Sequence, residues 1–157
     1  MKLDQRDIAI LRILAREGRI SKSDLAQRVN LSPTPTWERL RRLEEAGVIR
    51  GYHADIDVKM LVPGVQVFVT AELERHKAAD FAAFEALAEA RDEIAACWAL
   101  GGGFDYLMLV AVSDIDAYQR FMDGLLEAGV GLARYYTYVV TKQVKRQMPR
   151  LPDDLGD

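Results

Sequence analysis

The chain has 157 residues, with 21 Lys+Arg against 24 Asp+Glu, a formal net charge of −3 and one cysteine. That length gives one ordinary domain or two small ones, and a half-hydrophobic, 29% charged composition excludes a disordered or fibrous chain. Cys97 alone excludes a disulfide framework, and no Cys/His cluster has zinc spacing, so neither a metal nor a cofactor is expected.

The long apolar runs, Ile94 to Leu100 and Leu107 to Val112, are far too short to span a bilayer. Met1-Lys2-Leu3-Asp4 carries charge where a signal peptide needs apolar residues, so the expected setting is a reducing cytoplasm. The charge is unevenly spread. Residues 1–54 hold 11 Lys+Arg against 7 Asp+Glu, and residues 55–157 hold 10 against 17, so a +4 front precedes a −7 back. A basic front on an acidic back suggests two modules.

The front reads as three short helices. Asp4 to Glu17 repeats Ile8, Leu11, Leu14 and Ala15 at helical spacing, with Asp4 as N-cap and Gly18 as stop. Ser21 starts a second helix, with Asp24 in a capping-box-like position and Leu25, Ala26 and Val29 on one face up to Asn30. A third begins within Ser32-Pro33-Thr34-Pro35-Thr36, because proline is tolerated only in a first turn; it runs to Ala46 and closes at Gly47. Val48 to Ile56 reads as an extended segment leaving this unit. Three tight helices, the last rich in Arg, make a helix-turn-helix.

After Pro63-Gly64 the pattern changes. Val65 to Leu73 alternates as a half-buried strand, and Asp80 to Ala90 repeats as a helix. Ile94 to Leu100 and Leu107 to Val112 are strands around Gly101-Gly102-Gly103, Asp114 to Glu127 is a helix, and Tyr135 to Val144 a last strand. The order βαββαβ predicts an antiparallel sheet with both helices on one face, the ferredoxin-like arrangement. The other face then needs a partner, and a second copy of the chain is the simplest one. The tail from Met148 to Asp157 is expected to fray.

A recognition helix needs short polar side chains in its first turn and arginines further along. Ser32, Thr34 and Thr36 supply the first, and Arg39, Arg41 and Arg42 the second. The same residues also fit a solvated face in which Ser32 only caps and the arginines pair with Glu38, Glu44 and Glu45. Trp37 fits a packing residue against the first two helices, and Cys97 a small core residue. No Ser/His/Asp or Cys/His nucleophile set is present, His53 and His76 stand alone, and an enzyme is not expected.

The string from Leu31 to Ile49, LSPTPTWERLRRLEEAGVI, closely resembles the recognition-helix signature of the Lrp/AsnC (leucine-responsive, feast/famine) family of transcriptional regulators. Leu3-Asp4 with Asp7 and Ile10-Leu11, Gly51-Tyr52, Gly102-Gly103-Phe104-Asp105-Tyr106-Leu107 and Thr137-Tyr138-Val139-Val140 with Val144-Lys145 resemble further family segments in the right order. The resemblance implies an α+β chain. A winged helix-turn-helix (1–50) is joined by a β linker (51–63) to a βαββαβ effector-binding and oligomerisation domain (64–147), and a tail (148–157) follows. It also implies double-stranded DNA as partner, homodimers assembling to octamers, and an amino-acid-like effector near Leu100, Gly101, Gly102, Gly103, Phe104, Asp105 and Thr137. The family often carries an acidic residue where this chain has Gly103, which removes a partner for a plain amino acid's ammonium. An amino-acid-derived metabolite is therefore expected rather than leucine or asparagine. The rival reading is a stand-alone metabolite-binding or enzymatic βαββαβ protein with a helical oligomerisation arm.

Overall fold

The computed structural model describes residues 2–57 and 63–145, and these divide into a front unit, 2–56 with Lys145, and a back unit, 57 and 63–144. The expected tail, 148–157, lies outside the described residues.

In the front unit, α1 (Gln5–Leu14) is capped by Asp4. Its side chain accepts from the N–H groups of Arg6 and Asp7, while Asp7 accepts in return from the Asp4 N–H, a complete capping box. The helix stops at Leu14 rather than Glu17, because the Arg16 N–H tightens onto the Ile13 carbonyl and ends the regular ladder. Helix α2 (Lys22–Arg28) is capped by the Ser21 hydroxyl, which accepts from the Asp24 N–H at 3.1 Å. Asn30 then takes a left-handed φ of 52°, which its short polar side chain tolerates. Helix α3 (Pro33–Glu45) starts on its two prolines as expected, and Gly47 with φ 70° closes it. Ile10, Leu25, Val29, Leu40 and Leu43 form the core these three helices share.

The back unit runs β1 (Val65–Leu73), α4 (Ala78–Ala90), β2 (Ile94–Ala99), β3 (Tyr106–Val112), α5 (Ile115–Glu127) and β4 (Leu132–Val139). The strand order is β2-β3-β1-β4, and every neighbouring pair is antiparallel. Val67, Val69, Ala71 and Leu73 of β1 and Tyr106, Met108 and Val110 of β3 point to one face. There they meet Phe84 from α4 and Tyr118, Phe121, Met122 and Leu125 from α5. Both helices therefore cover the same face, as the period-two and helical patterns require.

Helix α4 begins at Ala78 rather than Asp80 and β2 ends at Ala99 rather than Leu100, and two further segments differ more. Strand β4 occupies Leu132–Val139 rather than Tyr135 to Val144. Its ladder partner is β1, which begins at Val65, so beyond the Val140 N–H bond to the Gln66 carbonyl no strand remains to pair with. Of the expected β linker, 51–63, residues 51–57 form no strand, and 58–62 lie outside the described residues.

The other sheet face stays open. Across it, Trp98, Leu107, Thr70 and Tyr136 stand in one row and Ala96, Leu109, Phe68 and Tyr138 in the next. Trp98, Tyr136 and Tyr138 are each about half exposed, at 47%, 45% and 54%. Thr70 Oγ1 is buried within this face with no hydrogen-bond partner among the described residues.

Candidate DNA-reading and effector sites

The recognition helix is fastened from behind by a buried carboxylate. Asp7 on α1 is fully buried, yet its charge is compensated by two guanidinium groups from α3. Arg39 donates to Asp7 Oδ1 at 2.8 Å and to Asp4 Oδ2 at 2.5 Å, and Arg42 donates to Asp7 Oδ2 at 2.6 Å. Such a carboxylate persists in a core because each of its oxygens finds a charged donor. The Asp7 N–H, and then Arg39, hold the Asp4 carboxyl below its ordinary range. A lowered carboxyl favours the folded unit above its unfolded value, and that contribution is lost as pH falls through the lowered one.

This geometry sorts the expected DNA contacts. Ser32 is exposed at the N-cap position and makes no capping bond, because Pro35 occupies the third helical position and has no N–H to offer. Thr34 is exposed one residue into the helix. Thr36 is not: it is 2% exposed and its hydroxyl donates to the Ser32 carbonyl at 3.0 Å, so the expectation that it approaches bases is corrected. Arg39 and Arg42, expected at base or phosphate contacts, lie with both guanidinium groups on Asp7 and tie α3 to α1. Arg41 faces outward and pairs with Glu45 one turn on at 2.7 Å. Trp37 departs from its expected packing role, being 42% exposed with Lys22 Nζ 3.3 Å over its ring.

In the back unit the turn between β2 and β3 is held by its acid. The Leu100 N–H donates to the Asp105 carbonyl at 2.7 Å, and the Asp105 N–H to Ala71 at 2.9 Å. The Asp105 carboxylate accepts from the Leu73 N–H at 2.8 Å and stands 3.1 Å from His76 Nε2. His76, isolated in sequence, thus gains a carboxylate through the fold. Leu100, Gly101, Gly102 and Gly103 are exposed, and Phe104 meets Tyr136 edge-on at 5.5 Å between ring centres. The six turn residues form one surface. Thr137 does not share it: it lies beside Tyr136 but on the helix-covered face, its hydroxyl 2.5 Å from that of Tyr118.

A cleft of about 340 Å³ adjoins the turn and is lined by Glu85, Glu89, Cys97, Ala99 and Tyr106 among others. The Tyr106 hydroxyl donates to Glu85 at 2.8 Å. Burial pushes the Cys97 thiol up, as suits a half-buried residue packed against the core. Sequence reasoning missed Asp7 as an anchor. Its one trace was a second acid three residues after Asp4, facing arginines spaced three apart on another helix.

Residues 3–50 match the family model described as a winged helix-turn-helix DNA-binding domain, and residues 66–150 match the Lrp/AsnC ligand binding domain. The chain belongs to the Lrp/AsnC family. It is 51% identical to the transcriptional regulatory protein DoeX of Halomonas elongata, over 99% of each chain. It is 41% identical to the leucine-responsive regulatory protein of Haemophilus influenzae, over 92% of this chain and 87% of that one. Among solved structures, a Neisseria meningitidis transcriptional regulator in complex with L-Met, NMB0573, superposes with a TM-score of 0.87 at 32% identity, covering 98% of both chains. As an Lrp/AsnC member, the chain is an effector-responsive DNA-binding transcriptional regulator with an N-terminal winged helix-turn-helix and a C-terminal four-stranded α+β domain. Among the described residues, no helix is long and apolar enough to cross a membrane.

Proposed function

We propose that this regulator reads double-stranded DNA through the outward face and first turn of α3, with Ser32, Thr34 and Arg41 as its polar contacts. Arg39 and Arg42 serve the same end from behind by fixing the helix on Asp7. The observation that carries this reading is the exposed Ser32 hydroxyl, left without a capping partner at the end of the helix that enters a groove. The test is binding of the full chain to the DNA upstream of its own coding region across a salt series. Affinity should fall by roughly 0.9 log units per log unit of salt for each phosphate neutralised. The rival reading, a metabolite-binding or enzymatic protein with an oligomerisation arm, predicts no specific complex at any salt.

The effector is an amino-acid-derived metabolite held at Leu100 to Asp105. Two facts support this. None of Gly101, Gly102 and Gly103 adopts a left-handed φ, and an added Cβ on any of them meets nothing within 4 Å. Neither backbone strain nor packing within this chain accounts for three glycines, which leaves close approach by something from outside. The structural relative bound to L-Met supports the amino-acid class. Calorimetric titration should find derivatives bound more tightly than leucine or asparagine. Gly103→Glu, which restores a carboxylate into open space, should reverse that preference. Micromolar binding of leucine or asparagine by the parent chain, with none of derivatives, would rule the assignment out.

The open sheet face is where two copies join, with octamers of four dimers as the larger assembly, and the protein works in the cytoplasm without catalysing a reaction. Two rows of aromatic and aliphatic side chains around the orphaned Thr70 hydroxyl support the pairing.

A further inference from the structure

The outward stripe of α3 is not basic. Helical spacing puts Thr34, Glu38, Arg41 and Glu45 on one line directly opposite the buried Thr36, Leu40 and Leu43, and all four are exposed. Glu38 sits in the middle of that line. A glutamate on a helix ordinarily pairs with a cation three or four residues on, and here both such positions are arginines. Yet Arg41 is drawn to Glu45 at 2.7 Å and Arg42 to Asp7 at 2.6 Å. Glu38 is left with no hydrogen-bond or ion-pair partner among the described residues.

An unpaired carboxylate at the centre of a face presented to phosphates is repelled by DNA in general. It gains only where the groove offers a donor at the right place. In the major groove the donors are the exocyclic amines of cytosine and adenine, and adenine sets its amine beside an N7 acceptor that a carboxylate opposes. Cytosine offers the amine without that neighbour. Arg41, one turn further, carries the fork that matches the O6 and N7 acceptors of guanine. Its pair with Glu45 is solvated on both sides, with side chains 68% and 63% exposed, so it exchanges readily for a base contact.

We propose that Glu38 is a specificity-determining residue of this regulator: it accepts a hydrogen bond from a cytosine amine in each half-site and weakens binding to sequences lacking one. The inference rests on reading α3 as the helix in the groove. It adds a residue that entered the sequence reading only in the alternative of a solvated, arginine-paired face.

The test is selection from a pool of randomised duplexes by the full-length parent chain and its E38A and E38Q variants, with base preference read position by position. The parent chain should select cytosine at one position per half-site. E38A should lose that preference alone, by about 5- to 150-fold, while binding random DNA more tightly than the parent does. E38Q, whose amide both donates and accepts, should move the preference at that position toward adenine. Identical preferences in the parent chain and E38A would overturn the proposal. Complete loss of binding by a folded E38A would do so too, since one base contact cannot carry the whole affinity. A parent chain that selects no sequence at all would instead defeat the DNA-reading assignment of α3, and this inference with it.

Discussion

Replacing Asp7 by alanine is expected to destabilise the front unit by about 2–4 kcal/mol, measured as the loss in its chemical denaturation transition. The carboxylate is fully buried and receives Arg39, Arg42 and the Asp4 N–H. Removing it leaves Arg39 with Asp4 alone and Arg42 without its partner. The two arginines are only partly shielded, with side chains 27% and 50% exposed, which keeps the cost below that of an orphaned charge in a dry core. Arg39→Ala should cost less than Asp7→Ala, because Asp7 keeps Arg42. Arg42→Ala should cost least, since that side chain is the most solvated of the three. The double variant of Asp7 and Arg39 should lose less than the sum of the single losses, as expected for groups sharing one network. DNA affinity should fall with stability across this series. A denaturation midpoint unmoved by Asp7→Ala would show that the network does not hold α3 in place.

If two copies join through the open sheet face as proposed, Leu107→Asp should separate them. Leu107 stands between Trp98 and Thr70 in the central row of the open sheet face. In a lone chain the new carboxylate remains near water, so the back unit keeps its fold. Across a symmetric interface it would be buried without a cation, next to its own copy, at a cost of several kcal/mol per pair. The dissociation constant should rise by more than about 1,000-fold, with sedimentation showing a monomer of unchanged secondary structure. A dimer that survives this change would place the interface elsewhere. On the proposed pairing, in which two copies read two half-sites, the monomer should also lose most of its affinity for the operator.

The elements of this chain were legible wherever one residue type reports on its immediate neighbours. Pro33 and Pro35 fix the start of α3, Asp4 and Ser21 mark their helices, and the alternation through Val67, Val69 and Ala71 marks a strand buried on one side. Boundaries set by a distant partner were not legible. Strand β4 ends where β1 begins, and nothing between Val139 and Val144 announces that. The arginines of α3 show the same difference most clearly. Spacing assigns Arg39 to a flank of the helix, but whether a flanking arginine meets solvent or a carboxylate depends on Asp7, 32 residues away. Asp105 and His76 meet for a similar reason, because the sheet brings the β2–β3 turn against the end of β1. The family resemblance pointed to both candidate sites without saying which side chains were already occupied.

The orphaned Thr70 hydroxyl restricts how two open faces can meet. Carboxylates accept only and ammonium groups donate only, so neither can bond to its own copy across a two-fold axis. A hydroxyl does both. Thr70 Oγ1 is already covered in the lone chain, so two Thr70 side chains brought together by symmetry satisfy one another, one donating as the other accepts, only where pairing moves the side chains over them aside. Any register that slides the sheets apart along the strands leaves both hydroxyls dry and unmatched. A single small side chain of mild polarity thus favours one alignment over its neighbours, on a surface whose flat aromatic rows would otherwise tolerate several.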